Sequence, residues 1–371
     1  MLTAHDDYPI HQTPYPIAHT YSADLNHYDR YFFNGYTKDG SLYFAAALGL
    51  YPNRQVMDAA FAVVRGGVEY SLIASRQAPT EPTETEVGPI KVTIEEPMQR
   101  LRLTVAPNNH GIECDIVFNA RTVPVEEPHF SRTDGTARTF DLTRLTQWGS
   151  WEGTITVNGE NIEARPADVL GSRDRSWGVR GVGERRTVGP PENDRQFFWL
   201  WSPINFDDIC VHFDVNEDGE GQQWHANGVV IPVTSSPAAF SDEQGLQKMD
   251  SVGHEIAWEK GTRRSSKAKI LLHPFQGETM TVELEPILTF QMLGIGYGNP
   301  EWAHGLWKGE SALHYETWKL DEIDPLAPHM IHIQQLCRAR MGDREGMGVL
   351  EQAVWGQHRP SGFTALLDGA R

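Results

Sequence analysis

Thr154-Ile155-Thr156-Val157-Asn158-Gly159-Glu160-Asn161-Ile162-Glu163 is the stretch from which the fold can be read. Polar and branched apolar residues alternate with period two, as a half-buried strand requires when successive side chains point to opposite faces. The alternation breaks at Asn158-Gly159, a pair suited to the positive φ angles of a two-residue hairpin turn. A β-hairpin is predicted here. Working outward, short runs of the same style recur at 101–105, 114–118, 209–215, 228–233, 267–272 and 280–284, each bounded by turn residues. The run Gly348-Val349-Leu350-Glu351-Gln352-Ala353-Val354-Trp355-Gly356 reads as a closing strand. Helical periodicity is scarce, with 55–64 and 326–336 as weak candidates that strand readings rival. The expected fold class is therefore all-β, and a chain of 371 residues built this way suggests a pair of antiparallel barrels.

Two domains are expected, 1–190 and 191–371. The polar, Gly/Pro-rich segment 185–195 reads as a linker or mobile loop, and 78–86 as an exposed loop within the first half. An internal echo supports duplication: Trp148-Gly149-Ser150-Trp151 and Gly305-Leu306-Trp307-Lys308-Gly309 both lead into strand-like runs.

Composition bounds the class of protein. Charged residues make up 22% and hydrophobic ones 39%, values of a globular chain rather than a disordered one. With 32 Lys and Arg against 50 Asp and Glu, the net charge of −18 repels phosphate backbones and anionic lipid surfaces. Neither nucleic acid nor membrane is an expected partner. Cys114, Cys210 and Cys337 are odd in number and far apart, so no disulfide framework is expected. The first fifteen residues lack the basic and apolar regions of a signal peptide. A soluble, cytoplasmic protein is the expectation, with a homodimer possible.

Chemistry concentrates in Gly171-Ser172-Arg173-Asp174-Arg175-Ser176-Trp177-Gly178-Val179-Arg180. An Arg-Asp-Arg cluster is costly to bury unless its members pair and find further hydrogen bonds. On a strand, Arg173 and Arg175 point one way and Asp174 the other, with Ser172 and Ser176 on the side of Asp174. Two readings stay open: Asp174 as an acid or base at an apolar cavity, with Arg173 and Arg175 tuning it or holding a substrate oxygen, or a structural salt-bridge network at a barrel end. Trp199 and Trp201, with Phe197, line one strand face as core filling or as the wall of a pocket for a large apolar molecule. Trp148, Trp177, His212 and His225 complete the candidate binding set, either histidine being able to act as a general base. His329 and His332 lack a completing carboxylate, so no metal is expected. The run Gly294-Ile295-Gly296-Tyr297-Gly298-Asn299-Pro300 is not followed by a helix and reads as a turn, not a dinucleotide fingerprint. No serine-hydrolase elbow or phosphate-binding loop occurs, and no cofactor is expected.

The string Asp174-Arg175-Ser176-Trp177-Gly178, followed by Trp199-x-Trp201 and Asp218-Gly219, resembles the two-lipocalin-domain superfamily of hydroxyneurosporene synthase, the carotenoid 1,2-hydratase. That superfamily also takes in fungal decalin-forming Diels-Alderases and uncharacterised bacterial relatives, to which this string is closest. The resemblance implies two lipocalin-like barrels and a cofactor-independent hydratase, isomerase or cyclase acting on an isoprenoid, steroid-like or polyketide-like molecule. It makes Asp174 the residue that protonates a double bond while aromatic side chains steady the cation. Arg175 stands where the hydratases carry His, and Ser172 where they carry Tyr. The alternative is a non-catalytic carrier of a hydrophobic ligand.

Overall fold

A computed structural model describes residues 2–10, 15–183, 195–234 and 245–371. The chain divides into two compact units, Met1–Arg185 with Thr234–Asp242 and Gly294–Trp318, and Arg186–Val233 with Glu243–Leu293 and Lys319–Arg371. The expected linker and the boundary at 190 fall almost entirely outside the described residues. Both units are antiparallel β structures, one a closed eight-stranded barrel and the other nearly closed.

In the first unit the neighbouring strands run Ser311–Lys319, Val68–Gln77, Val56–Arg65, Leu42–Tyr51, His27–Thr37, Val169–Val179, Ala137–Val157, Ile112–Ala120, Arg100–Val105, Ile90–Glu96 and Glu86–Val87. The hairpin read from sequence joins Ala137–Val157 to Glu160–Ala164, with Asn158 at φ 50° and Gly159 at φ 81°. The echo after Trp307 does form a strand, Ser311–Lys319, and it pairs beside Val68–Gln77 of the first unit. The second unit closes when Arg344–Trp355, the expected closing strand, pairs with Phe197–Asn205.

Neither candidate helix forms. Residues 55–64 lie almost wholly in strand Val56–Arg65, buried on both faces, so its apolar residues run on without the alternation of a half-exposed strand. Residues 326–336 are a turn running into strand Ile333–Met341.

The two faces of the first sheet have different chemistry. The inner face packs Phe33, Phe44, Phe61, Phe118 and Trp151 into one core. Gly149, Gly171 and Gly35 sit in one row across three strands, and a Cβ on Gly35 would stand 2.1 Å from the Phe44 ring. Aromatic bulk thus occupies a lane the glycines leave free. The outer face instead carries Ala45, Ala47 and Gly49 on one strand, next to Ala62, Ala60 and Asp58 on the following one. That face is a row of small, buried residues with polar flanks.

Candidate active site

Register assigns every side chain of the Val169–Val179 strand to a face. Ser172, Asp174 and Ser176 lie on the outer face, level with Asn34, Phe32 and Arg30 on one side and with Trp148, Thr146 and Arg144 on the other. Arg173, Arg175 and Trp177 point into the first barrel. The alternation thus separates Asp174 from both arginines.

The inner arginines each have their own carboxylate. Arg173 Nη1 donates to Asp7 Oδ1 at 2.6 Å and Nη2 to Asp7 Oδ2 at 3.3 Å, while Nε donates to Gln147 Oε1 at 2.9 Å. Asp7 ends the turn Ala4–Asp7, which the Thr3 side chain caps. Arg175 Nη1 donates to Asp29, and its guanidinium carbon lies 4.0 Å over the Tyr31 ring. Half-buried Trp177 packs against Leu2, Met98 and Leu145. The structural reading of the Arg-Asp-Arg string therefore describes its two arginines.

Asp174 has different company. It is half-buried and shares its face with Phe32, and its charge acts on Arg180 and Tyr28. Asn34 Oδ1 holds Ser172 through both the backbone N–H, at 2.8 Å, and the hydroxyl, at 3.0 Å. Trp148 is fully buried in the same row. Arg180 lies 4.6 Å over the Tyr28 ring and 5.4 Å from that of Tyr297, which also has Arg30 at 4.6 Å and the His304 ring at 4.5 Å.

Arg30 leads to a second carboxyl. Its Nη1 donates to His304 Nδ1 at 2.7 Å, and because a guanidinium can only donate, Nδ1 accepts. His304 Nε2 then donates to the Ile295 carbonyl at 2.8 Å. Two strands further on, Asp58 Oδ2 accepts the Gly305 N–H at 2.7 Å and Oδ1 accepts the Tyr51 hydroxyl at 3.2 Å. Burial pushes the Asp58 carboxyl up to about 6, against the pull of the Arg30 charge. Three strand spacings separate Asp58 from the strand of Asp174, about 14 Å. Small buried residues, Ala47, Ala60 and Gly49, lie between.

The remaining sequence candidates belong to the second unit. Trp199 and Trp201 lie on the face turned away from the core formed by Phe198 and Leu200. His212 and His225 each approach Asp214 to 3.3 Å. Burial would raise the Asp214 carboxyl, but hydrogen bonds from the two imidazoles outweigh it and hold it well below the usual range. His332, read from sequence as lacking a carboxylate, meets Glu351 at 2.6 Å.

Sequence reasoning missed Asp7, Asp29, Arg30, Tyr51, Asp58, Tyr297 and His304. A signal for Asp58 was present: Ala45-x-Ala47-x-Gly49 and Asp58-x-Ala60-x-Ala62 are period-two series of small residues.

This architecture is found in solved structures of low sequence identity. A protein given the name AttH from Nitrosomonas europaea is 13% identical, with 88% of this chain and 92% of that one covered at a TM-score of 0.53. Kievitone hydratase from Nectria haematococca is 11% identical, with 88% of each chain covered at 0.52. CghA is 10% identical, with 89% and 88% covered at 0.50. The fold is thus the two-barrel one of kievitone hydratase and CghA, the fold that the sequence resemblance implies. Residues 2–364 match a family of unknown function, DUF8625, and the chain belongs to it. No functionally curated protein matches it in sequence.

Proposed function

We propose that the protein is a cofactor-independent acid–base enzyme, of hydratase, isomerase or cyclase type, that acts on a hydrophobic small molecule at the outer face of the first sheet. The observation that carries this reading is the placement of Asp174. Its carboxyl is half-buried beside Phe32, within reach of the Arg180 charge, on a face floored by small residues. The fold it shares with a protein named a hydratase adds support.

In the hydration direction, protonated Asp174 gives its proton to one carbon of a double bond, leaving a cation at the other. The ring of Phe32, beside Asp174 on the neighbouring strand, offers the negative face of its quadrupole to that charge. Water adds to the cation and returns a proton to the Asp174 carboxylate, so atoms and charge balance. Cyclisation or isomerisation uses the same first step and ends in loss of a proton from carbon.

The test is incubation of the protein in D2O with a panel of isoprenoid and polyketide-type alkenes, followed by mass spectrometry. Gain of one water, or deuterium without water, reports the reaction and its type. Asp174→Asn should abolish the change in a folded protein. Equal turnover by that variant would remove Asp174 from the mechanism.

A further inference from the structure

The row that begins at Asp174 runs on through Phe32, Ala47, Ala60 and Ile73, one residue from each of four successive strands. Every member beyond Asp174 is apolar and buried, although this face is turned away from the core of the first barrel. Two rows with polar ends flank it. Arg30, Gly49, Asp58 and Ser75 lie on one side, and Asn34, Ala45, Ala62 and Ser71 on the other.

The cover over this face is the segment 294–306, which folds with the first unit. It is fastened at both flanking rows. On one side the Ser71 hydroxyl donates to the Gly294 carbonyl at 2.5 Å, and a Cβ on Gly294 would stand 3.4 Å from that of Ala62. On the other, Arg30 Nη2 donates to the Ile295 carbonyl at 3.4 Å, the Gly305 N–H to Asp58 at 2.7 Å, and the Ser75 hydroxyl to the Leu306 carbonyl at 3.4 Å. Ala47 and Ala60 lie between these two lines of contact, so the segment passes over them as a strap. The glycine run that opens it serves this close approach. A Cβ on Gly294 would stand 2.3 Å from Glu69 Oε1, and Gly296 has φ 94° with the His304 ring 2.7 Å from where its Cβ would be.

The fastening is that of a closure and not of a core. From 296 to 306 the strap has turns but no strand pairing, and its backbone is held to the sheet by separate hydrogen bonds that water can replace at modest net cost. Elements that move are drawn from such weakly held segments. Parting strap and sheet exposes Phe32, alanine methyls and the buried Ile295, an apolar surface that an apolar molecule can cover again.

We propose that 294–306 is a lid over the substrate lane. It lifts, and the apolar body of the substrate takes its place on Phe32, Ala47 and Ala60, with the reacting double bond at Asp174. This rests on the reading of Asp174 as the acid. The lid is detected by accessibility and that reading by turnover, so the failure of one is distinguishable from the failure of the other.

Ala59 and Ala60 are adjacent, equally buried and on opposite faces of the strand Val56–Arg65. In the full-length protein, with wild type as the background for its three buried cysteines, N-ethylmaleimide should label Ala60→Cys at least tenfold faster than Ala59→Cys, whose thiol only opening of the barrel exposes. Adding Ser71→Ala removes the hydroxyl that holds Gly294 and should speed labelling of Ala60→Cys roughly fivefold, the scale of one hydrogen bond, with Ala59→Cys unchanged. Saturating farnesol, a slim apolar alkene, should shield the thiol of Ala60→Cys alone. Hydrogen exchange of the wild-type protein needs no variant if Ala60→Cys does not fold: the amides of 294–306 should exchange faster than those of Leu42–Tyr51 and Val56–Arg65, and faster still with farnesol. Equal labelling of the two cysteine variants, indifference to Ser71→Ala, absence of shielding by farnesol, or a strap as protected as the strands beneath it would each overturn the proposal.

Discussion

The Tyr51 hydroxyl reaches Asp58 by lying over Gly49, where an added Cβ would stand 2.4 Å from the phenolic oxygen. Gly49 is also the cross-strand partner of Asp58, so one missing side chain permits the contact. Gly49→Ala should displace the phenol and cost about 1–3 kcal/mol, the usual range for forcing extra carbon into a packed site. Urea unfolding of the two proteins checks this. An unchanged midpoint would mean that the ring moves aside freely.

Asp58 should leave a signature in the pH dependence of stability. Its folded-state pKa, about 6, lies above the ordinary aspartate value of 3.8 because burial penalises the charged carboxylate. The folded protein therefore binds this proton more tightly than the unfolded chain. Relative to Asp58→Asn, wild-type stability should be highest below pH 4 and fall by on the order of 3 kcal/mol as the pH rises to about 6, then stay level. Chemical denaturation of both proteins across that range measures the difference. Parallel curves would show that Asp58 titrates as an ordinary surface carboxyl.

What the sequence made legible follows from the range of the interactions. Alternation along one strand needs only neighbouring residues, so the opposition of Asp174 to Arg173 and Arg175 was readable, as was the Asn158-Gly159 turn. The partners of the arginines were not readable, because Asp7 and Asp29 lie 166 and 146 residues away. Asp58 was hidden differently. It sits in a strand buried on both faces, which reads as an apolar run with one polar residue in it. His304 stands in a segment whose hydrogen bonds run back to the first strands, a return that no local pattern announces.

Glu217 gives the second unit a pH response of the opposite sign. Burial would raise its carboxyl, but hydrogen bonds from His254 and His358, both at 2.9 Å, hold it down at about 2. A depressed acid contributes stability above its unfolded pKa, and that contribution is lost as the pH falls. The loss should run from about pH 4.5 down to about 2, and Glu217→Gln should remove it. Circular dichroism during acid titration compares the two proteins. His358 also stacks on Phe198 at 4.0 Å, so His358→Ala should lower the thermal midpoint at neutral pH as well.

The pairing of Arg173 with Asp7 ties the turn Ala4–Asp7 to the inside of the first barrel, and both side chains are wholly buried. A buried ion pair is weak evidence of net stabilisation, because desolvation of two charges offsets their attraction. Breaking it from one side is another matter. Asp7→Ala leaves the Arg173 charge buried without its anion and also removes the acceptor for the Met98 N–H, so a loss of about 3–5 kcal/mol is expected. Arg173→Met in the same chain removes the stranded charge, fills much of the volume and should restore most of that loss. The coupling energy from unfolding the two single variants and the double variant separates the pair from its surroundings. If Asp7→Ala alone cost less than about 1 kcal/mol, the turn would not be an anchor of the barrel, and Arg173 would have to find its compensation in Gln147.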